Sequence, residues 1–436
     1  MTVDVAIVGF GPTGATLALA LGRSGLDVVV YERSAAAYSM PRACHIDAEV
    51  ARILARHGLE PHLHHLLTES AGMEYVDGSG RRLFSFEGFE REPLLGWHED
   101  YVFVQPELEA VLRSEVASLA NVHVHLGVEA PPVASLLEEA RYVVGCDGAS
   151  SPVRQQLGVE FVDLDYDEPW LVVDVMLDRE PDTPLPDIIQ QVCDPERLAT
   201  FVPSHGRHRR WEFLLAEGED PDPWALLAPW GVTPAHGELV RAVKYRFHAL
   251  VADRWRVGRV FLAGDAAHMM PPFMGQGLCS GVRDADNLAW KLVEVVRSDG
   301  DEGLLDSYEA ERRPHTEAVV AMSIEAGRTL SRLAADPTDL PAPSEPDPTR
   351  WSRLPGLELG APFPVGHQVP QPDGLDRRLA PWSWVAADDG FVSSDGRPVV
   401  VEPRATYGER AVLVRPDRYI AAVSAGAARS AVPSTR

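Results

Sequence analysis

No apolar run in the sequence approaches the roughly 18–20 residues of a membrane-spanning helix, and no membrane association is expected. Cysteine is scarce. Cys44, Cys146, Cys193 and Cys279 lie far apart without a Cys-x-x-Cys pair, which argues against a disulfide framework. The histidines, including the His62, His64 and His65 group, lack the supporting Cys or acids of a metal site, so no metal is expected. A basic surface is missing too: a net charge of −25 argues against non-specific nucleic-acid binding and against adhesion to anionic lipid. The sequence opens on MTVDVAIVGFG with no basic segment or cleavable apolar core, and a reducing, cytoplasmic setting is expected. Small molecules remain as the expected partners.

What is present is globular material. The 436 residues allow two or three domains with a substantial core. VDVAIV (3–8) is a short β-branched run, expected as a buried parallel strand; an Ala/Leu-rich helix follows and ends near Gly25. DVVVYER then supplies a second strand, which makes a β-α-β unit. Helices are predicted over 47–57 and 106–118, and strands over VHVHLG (122–127) and ARYVVGCDG (140–148). Short β-rich runs between 160 and 247, broken by Pro and Asp, read as a second-domain sheet. VGRVFLAGD (257–265) returns to a buried strand. The next helix places Leu278, Val282, Ala285, Leu288 and Leu292 at helical spacing, and a long helix from Leu304 is predicted to kink at Pro314. A Pro/Asp-rich linker covers 334–350, and an Ala/Ser tail is expected to be disordered.

Gly9-Phe10-Gly11-Pro12-Thr13-Gly14 matches G-x-G-x-x-G, a weak pattern alone. Here it follows a buried strand and opens a helix, with Glu32 and Arg33 ending the next strand. The first glycine makes the tight turn, the second admits a pyrophosphate against the backbone, and the third packs helix on strand. Glu32 stands at the distance expected for a ribose hydroxyl. An adenine dinucleotide is expected, but the pattern alone serves NAD and FAD equally. No second such fingerprint is present.

Three motifs carry a resemblance: GFGPTG…YER at the N-terminus, YVVGCDGASSPVR (142–154), and RVFLAGDAAHMMPPFMGQGLCSGVRDADNLAWKL (259–292). Together they resemble the class A FAD-dependent aromatic hydroxylases, the p-hydroxybenzoate hydroxylase family. The likeness is closest to its 3-(3-hydroxyphenyl)propionate hydroxylase and polyketide-tailoring branch. RRWEF (209–213), YEAERRPH (308–315) and LVRPDRYIA (413–421) are similar to that branch as well. The likeness covers residues 1–330 and, more weakly, the remainder.

The resemblance implies an α/β fold: a Rossmann-like FAD-binding domain, an inserted mixed β-sheet substrate domain, long C-terminal helices and a small C-terminal region. The expected divisions are 1–159 and 251–333 for the FAD domain, 160–250 for the substrate sheet, 334–350 for the linker and 351–436 for the rest. That last region is short for the thioredoxin-like domain of many relatives and has no Cys pair; a structural role, an oligomer contact and a partial domain all stay open. Relatives also carry more strands where this sequence has only residues 128–139.

For the site, the resemblance implies that Gly264 and Asp265 hold the ribityl chain of FAD. Backbone NH groups at Gly275, Gln276 and Gly277 would aim a helix dipole at the ring. Pro271 and Pro272 fix the backbone beside it, Pro272 next to the chemistry, whereas Met269, Met270 and Met274 read as gap fillers. Arg42 and Gln105 match family positions that contact FAD, a surface salt bridge being the competing reading for Arg42, and the Asp147-Gly148 turn matches the family motif shared between FAD binding and NAD(P)H function. His45 lies on the segment bordering the substrate side and is a candidate to orient or deprotonate a phenol, a structural histidine being the competing reading. The implied activity is monooxygenation: NADH or NADPH binds transiently, O2 is consumed, and a small phenolic or polyketide-type aromatic substrate is hydroxylated through a flavin C4a-hydroperoxide. Epoxidation, Baeyer–Villiger cleavage, oxidative decarboxylation and a flavoprotein that merely shelters an intermediate are the alternatives. A monomer or a homodimer is expected.

Overall fold

A computed structural model describes residues 2–87, 94–298, 302–342, 354, 366–386, 397–402 and 411–424. Along the chain, β1 (Val3–Val8), α1 (Pro12–Arg23) and β2 (Val28–Glu32) come first. β3 (His45–Asp47), α2 (Ala48–Leu54), α3 (Glu60–Leu66), β4 (Leu67–Glu69), β5 (Gly72–Asp77), β6 (Arg82–Glu87) and β7 (Asp100–Phe103) follow. Then come α4 (Gln105–Ala117), β8 (Val122–Leu126), α5 (Val133–Glu139), β9 (Ala140–Gly145) and α6 (Pro152–Gln156). The next stretch holds β10 (Phe161–Leu177), β11 (Ile189–Cys193), β12 (Ala199–Val202), β13 (His208–Leu214), α7 (Pro223–Leu227) and β14 (Gly237–Ala252). After β15 (Arg256–Val257), β16 (Val260–Leu262) and β17 (His268–Met269) run the long helices α8 (Gln276–Ser298) and α9 (Gly303–Ala335). The C-terminal strands are β18 (Ser383–Ala386), β19 (Val399–Val401), β20 (Val412–Val414) and β21 (Ile420–Val423).

The β-branched run at the N-terminus forms the interior of a six-stranded sheet, ordered β15-β16-β9-β1-β2-β8. β1 pairs in parallel with both β2 and β9, and Val5, Ala6 and Ile7 are fully buried, as expected of strands covered on both faces. α1 and α8 pack together beside it. Asp47 caps α2, its Oδ1 accepting from Val50 N at 3.1 Å; the helix ends at Leu54, earlier than 57, in a wider turn where Gly58 takes φ +84°. α9 continues through Pro314 as one helix.

The second sheet has eight strands, ordered β17-β14-β10-β13-β12-β11-β5-β6. It therefore reaches outside residues 160–250: β5 and β6 come from upstream, β5 pairing in parallel with β11. Register sets Tyr75, Gln191, Thr200 and Glu212 in one row across four strands. On β13, Trp211 and Phe213 point to the other face, into an apolar cluster with Leu171, Val173 and Phe201. Residues 128–139 hold α5 rather than further strands.

Among the described C-terminal residues, four strands form a sheet ordered β19-β18-β20-β21. Residues 343–350 of the 334–350 linker and residues 425–436 of the Ala/Ser tail lie outside the described residues. No described helix is long and apolar enough to cross a membrane.

Candidate active site

One cavity of about 1110 Å³ is lined from both large sheets. At one end stands the glycine loop. A Cβ on Gly9 would overlap the Cys146 carbonyl and one on Gly14 would overlap the Gly9 carbonyl, so both are required by close packing. Gly11 differs: it lines the cavity, and a Cβ there would meet no protein atom. This leaves its backbone open to a ligand at the N-terminus of α1, where unpaired NH groups and the helix dipole favour a pyrophosphate.

Gly9, Pro12, Thr13, Glu32, Arg33, Arg42, Gln105 and Asp147 line the same end. Glu32 accepts from Phe10 N and Ser34 N, both at 2.8 Å, and so fixes the loop. The Arg42 guanidinium sits 4.4 Å from the Tyr38 ring centre. Gln105 accepts from Ala43 N (2.6 Å) and donates to Glu109 (2.7 Å). Asp147 accepts from Ser151 Oγ (2.5 Å) and Val153 N (3.0 Å), while burial raises its pKa. Arg154 reaches from α6 to the Ala266 carbonyl (3.1 Å), tying that turn to the next loop.

In the middle, β16 delivers Asp265. Its side chain is exposed to the cavity yet deep in the protein, and no described residue hydrogen-bonds it. Burial raises its pKa, opposed by the charges of His268 and Arg42. An acid set within the cavity and turned to open space beside a dinucleotide loop fits the sugar hydroxyls of a cofactor such as FAD. The loop is held from behind by Asp284, which accepts from Gly264 N (3.0 Å), His268 Nε2 (2.7 Å) and Arg312 Nε (2.9 Å). Met269, Met270, Pro272, Met274, Gly275 and Gly277 line the cavity and lead into the N-terminus of α8.

Three expected residues stand outside the lining. Gly14 and Gly264 are packed beneath it, and the Gln276 side chain turns away, donating to Asp47 (3.1 Å) and accepting from Arg283 (3.0 Å). Arg283 also pairs with Asp47 and Glu49 at 2.6 Å, so this end of α8 is anchored by buried charge.

His45 lines the cavity, with both ring nitrogens opposite acceptors: Asp100 Oδ1 at 2.8 Å and the Gly275 carbonyl at 3.4 Å. Burial opposes its charge, but the hydrogen bond to Asp100 and the interaction with Cys279 outweigh it, and its pKa is raised well above the ordinary value. The ring braces Gly275, which sits at φ +64° against it, and the raised pKa favours its protonated form.

The far end is roofed by the second sheet. Met73, Tyr75, Ile189, Gln191, Thr200, Val202, Arg210 and Glu212 line it, with Phe84, Phe86 and Phe273 as aromatic wall. Sequence reasoning did not pick these out. Their signal is period-2 alternation in GMEYVD, IQQVC, ATFV and RRWEF, which places every second residue on one face. Arg210 is occupied: it donates to Asp174 (2.8 Å), the Arg42 carbonyl (2.5 Å) and the Pro41 carbonyl (2.6 Å), fastening the 41–45 segment to the sheet.

The comparisons with known proteins agree with this geometry. The FAD binding domain family matches residues 2–323. A probable NADH-specific resorcinol 4-hydroxylase of Rhodococcus jostii (strain RHA1) is 37% identical over 426 residues, covering 89% of this chain and 79% of its own. A 3-(3-hydroxy-phenyl)propionate/3-hydroxycinnamic acid hydroxylase of Burkholderia cenocepacia (strain HI2424) is 33% identical over 90% of this chain and 81% of its own. Among solved structures, aklavinone-11 hydroxylase in complex with FAD and aklavinone superposes with a TM-score of 0.77 at 23% identity, covering 98% of this chain and 96% of that one. Matching family, matching relatives and a shared fold lead to one assignment: the chain belongs to the FAD-binding aromatic hydroxylases and is a flavin-dependent monooxygenase.

Proposed function

We propose that the protein hydroxylates a phenolic ring, with a nicotinamide dinucleotide and O2 as co-substrates. The carrying observation is the continuity of the cavity, which joins the glycine loop, the unpartnered Asp265 and the aromatic and polar roof in one space. Bound FAD supplies the redox chemistry, taking reducing equivalents from NADH or NADPH and activating O2.

The chain's own residues bind, orient and exclude water. Gly11 and the start of α1 hold the diphosphate, and Asp265 accepts from ribityl hydroxyls. The N-terminus of α8, behind Gly275 and Gly277, would offer its positive end to bound FAD and favour negative charge there. His45, clamped between Asp100 and the Gly275 carbonyl, fixes that edge and adds positive charge. Met269, Met270, Met274 and Phe273 form an apolar wall that keeps water from the reacting centre.

Purified protein should be yellow, and NADH consumption with resorcinol should yield stoichiometric product one oxygen heavier. A colourless protein that takes up no FAD, or oxidation that yields only hydrogen peroxide with every phenol tried, would overturn the proposal.

A further inference from the structure

We propose that Glu212 receives the ring hydroxyl of a neutral phenol at the roof of the cavity and takes its proton. The assignment rests on the monooxygenase reading above and names its substrate class. Glu212 is only 6% exposed, yet it lines the cavity, on the face of β13 opposite Trp211 and Phe213. No described residue hydrogen-bonds it or pairs with it. The other buried or half-buried acids along the cavity are engaged elsewhere. Glu32, Glu109 and Asp147 hold backbone or side-chain donors, Asp100 holds His45, and Asp265 faces the cofactor end. A buried carboxyl left without a partner costs free energy unless a ligand supplies one.

The charges around Glu212 keep it available. On its own strand, Arg210 donates to Asp174 and to backbone carbonyls of Pro41 and Arg42. From β14, Arg241 is drawn to Asp174 on β10 and to the Pro41 carbonyl. Cys44 faces it from the 41–47 segment, and the neighbouring His45 is paired with Asp100. Burial raises the Glu212 pKa, Arg210 and Arg241 lower it and Asp174 raises it, with a net upward shift. That shift narrows the gap to a phenol near 10, the condition under which a carboxylate works as a base.

In the step itself the phenol O–H bond breaks, its electron pair stays on oxygen and the proton goes to a Glu212 carboxylate oxygen. The proton returns to the product oxygen on release, so no further reactant is needed. The same placement selects the substrate. Arg33, Arg42 and Arg113 line the glycine-loop end, and Arg210, the roof arginine that lines the cavity, is committed to Asp174 and two backbone carbonyls. A carboxylate-bearing phenol meets the Glu212 charge instead, so a neutral diphenol is preferred.

The test compares FAD-loaded wild type with Glu212→Gln, using resorcinol and 3-(3-hydroxyphenyl)propionate. Binding is read without NADH from the flavin absorbance change; kcat/KM is then followed against pH. We expect wild type to bind resorcinol more tightly than the propionate. Glu212→Gln should weaken resorcinol about 10-fold or more and lower kcat about 10²-fold or more, and the acidic limb of the pH profile should disappear. FAD content and melting temperature report the fold, and Glu212→Asp should keep the acidic limb if the Gln variant does not fold. Tighter binding of the propionate, or a Gln variant with the same pH profile and kcat/KM within twofold, overturns the assignment. If wild type forms no product from any phenol the monooxygenase reading fails, while the binding titration still decides Glu212.

Discussion

The loop that carries Asp265 depends on a group outside the cavity, and Asp284→Asn isolates it. Asp284 is fully buried and accepts from Gly264 N, His268 Nε2 and Arg312 Nε. An amide fills the same volume but replaces one oxygen with a donor, so either rotamer sets a donor against a donor and leaves Arg312 a buried cation without its counter-ion. Burial works against the Asp284 charge, but His268 and Arg312 prevail and hold its pKa down at about 2. Against an ordinary value near 3.9, two units correspond to about 2–3 kcal/mol; the orphaned Arg312 charge raises the cost to about 3–5 kcal/mol. At about 2 °C or more per kcal/mol, flavin release on heating should come some 5–10 °C earlier in Asp284→Asn. The sign with pH follows from the depressed pKa. The carboxylate's contribution is complete above about pH 4 and is lost as pH falls toward 2, so the gap between variant and wild type should narrow over that window. A variant that melts within about 1 °C of wild type and keeps its FAD would refute the reasoning.

Asp265→Ala removes an acid that no described residue hydrogen-bonds. The apoprotein should therefore melt as wild type does, while FAD affinity falls about 10- to 100-fold, the worth of one or two charge-assisted hydrogen bonds; unchanged FAD affinity by fluorescence titration would remove Asp265 from the cofactor site. His45 titrates with the opposite sign to Asp284. Its pKa is raised in the folded state, so its contribution is complete below about 6.5 and is lost as pH climbs through the raised value. Wild type should lose thermal stability above neutrality relative to His45→Gln, and parallel melting curves from pH 6 to 9 would count against the imidazolium.

The dinucleotide end was legible because its residues answer to local backbone demands. Gly9, Gly11 and Gly14 are spaced by a turn, and buried strands such as VDVAIV need no partner information to be recognised. The GDAAHMMPPFMGQG loop was read through the family resemblance, and most of its residues line the same cavity as the glycine loop. The roof was not legible in the same way. Gln191, Thr200 and Glu212 look like the solvent face of amphipathic strands, and only cross-strand register shows that this face is covered. β5 pairs with β11 across more than a hundred residues, a contact that no local pattern encodes. The Gln276 side chain shows the same limit: its partners Asp47 and Arg283 come from distant segments, so its place behind the cavity could not be read locally, whereas the expectation for this residue concerned its backbone NH.

The C-terminal region bears on the site through buried polar contacts. Glu49, on the helix that follows His45, is paired with Arg283 and also accepts from Gln368 Nε2 (2.7 Å) and Tyr419 Oη (2.6 Å). Arg52 on the same helix pairs with Asp376 at 2.7 Å. On α9, Glu311 takes both Arg415 (2.8 Å) and Lys291 (2.9 Å), and Asp417 accepts from Trp290 Nε1 (2.9 Å). Truncation after residue 342 would remove Gln368, Asp376, Arg415, Asp417 and Tyr419 together. Arg52 would lose its counter-ion and Trp290 would be uncovered on α8. Breaking one buried pair costs about 3–5 kcal/mol, and at least two would be broken, a large share of the roughly 5–15 kcal/mol that holds a typical domain. Because Arg283 anchors the start of α8 through Asp47 and Glu49, the loss should be felt at the Gly275–Gly277 turn. The truncated chain should aggregate or purify without FAD. A truncated protein holding FAD at wild-type stoichiometry would show that these contacts are dispensable to the site.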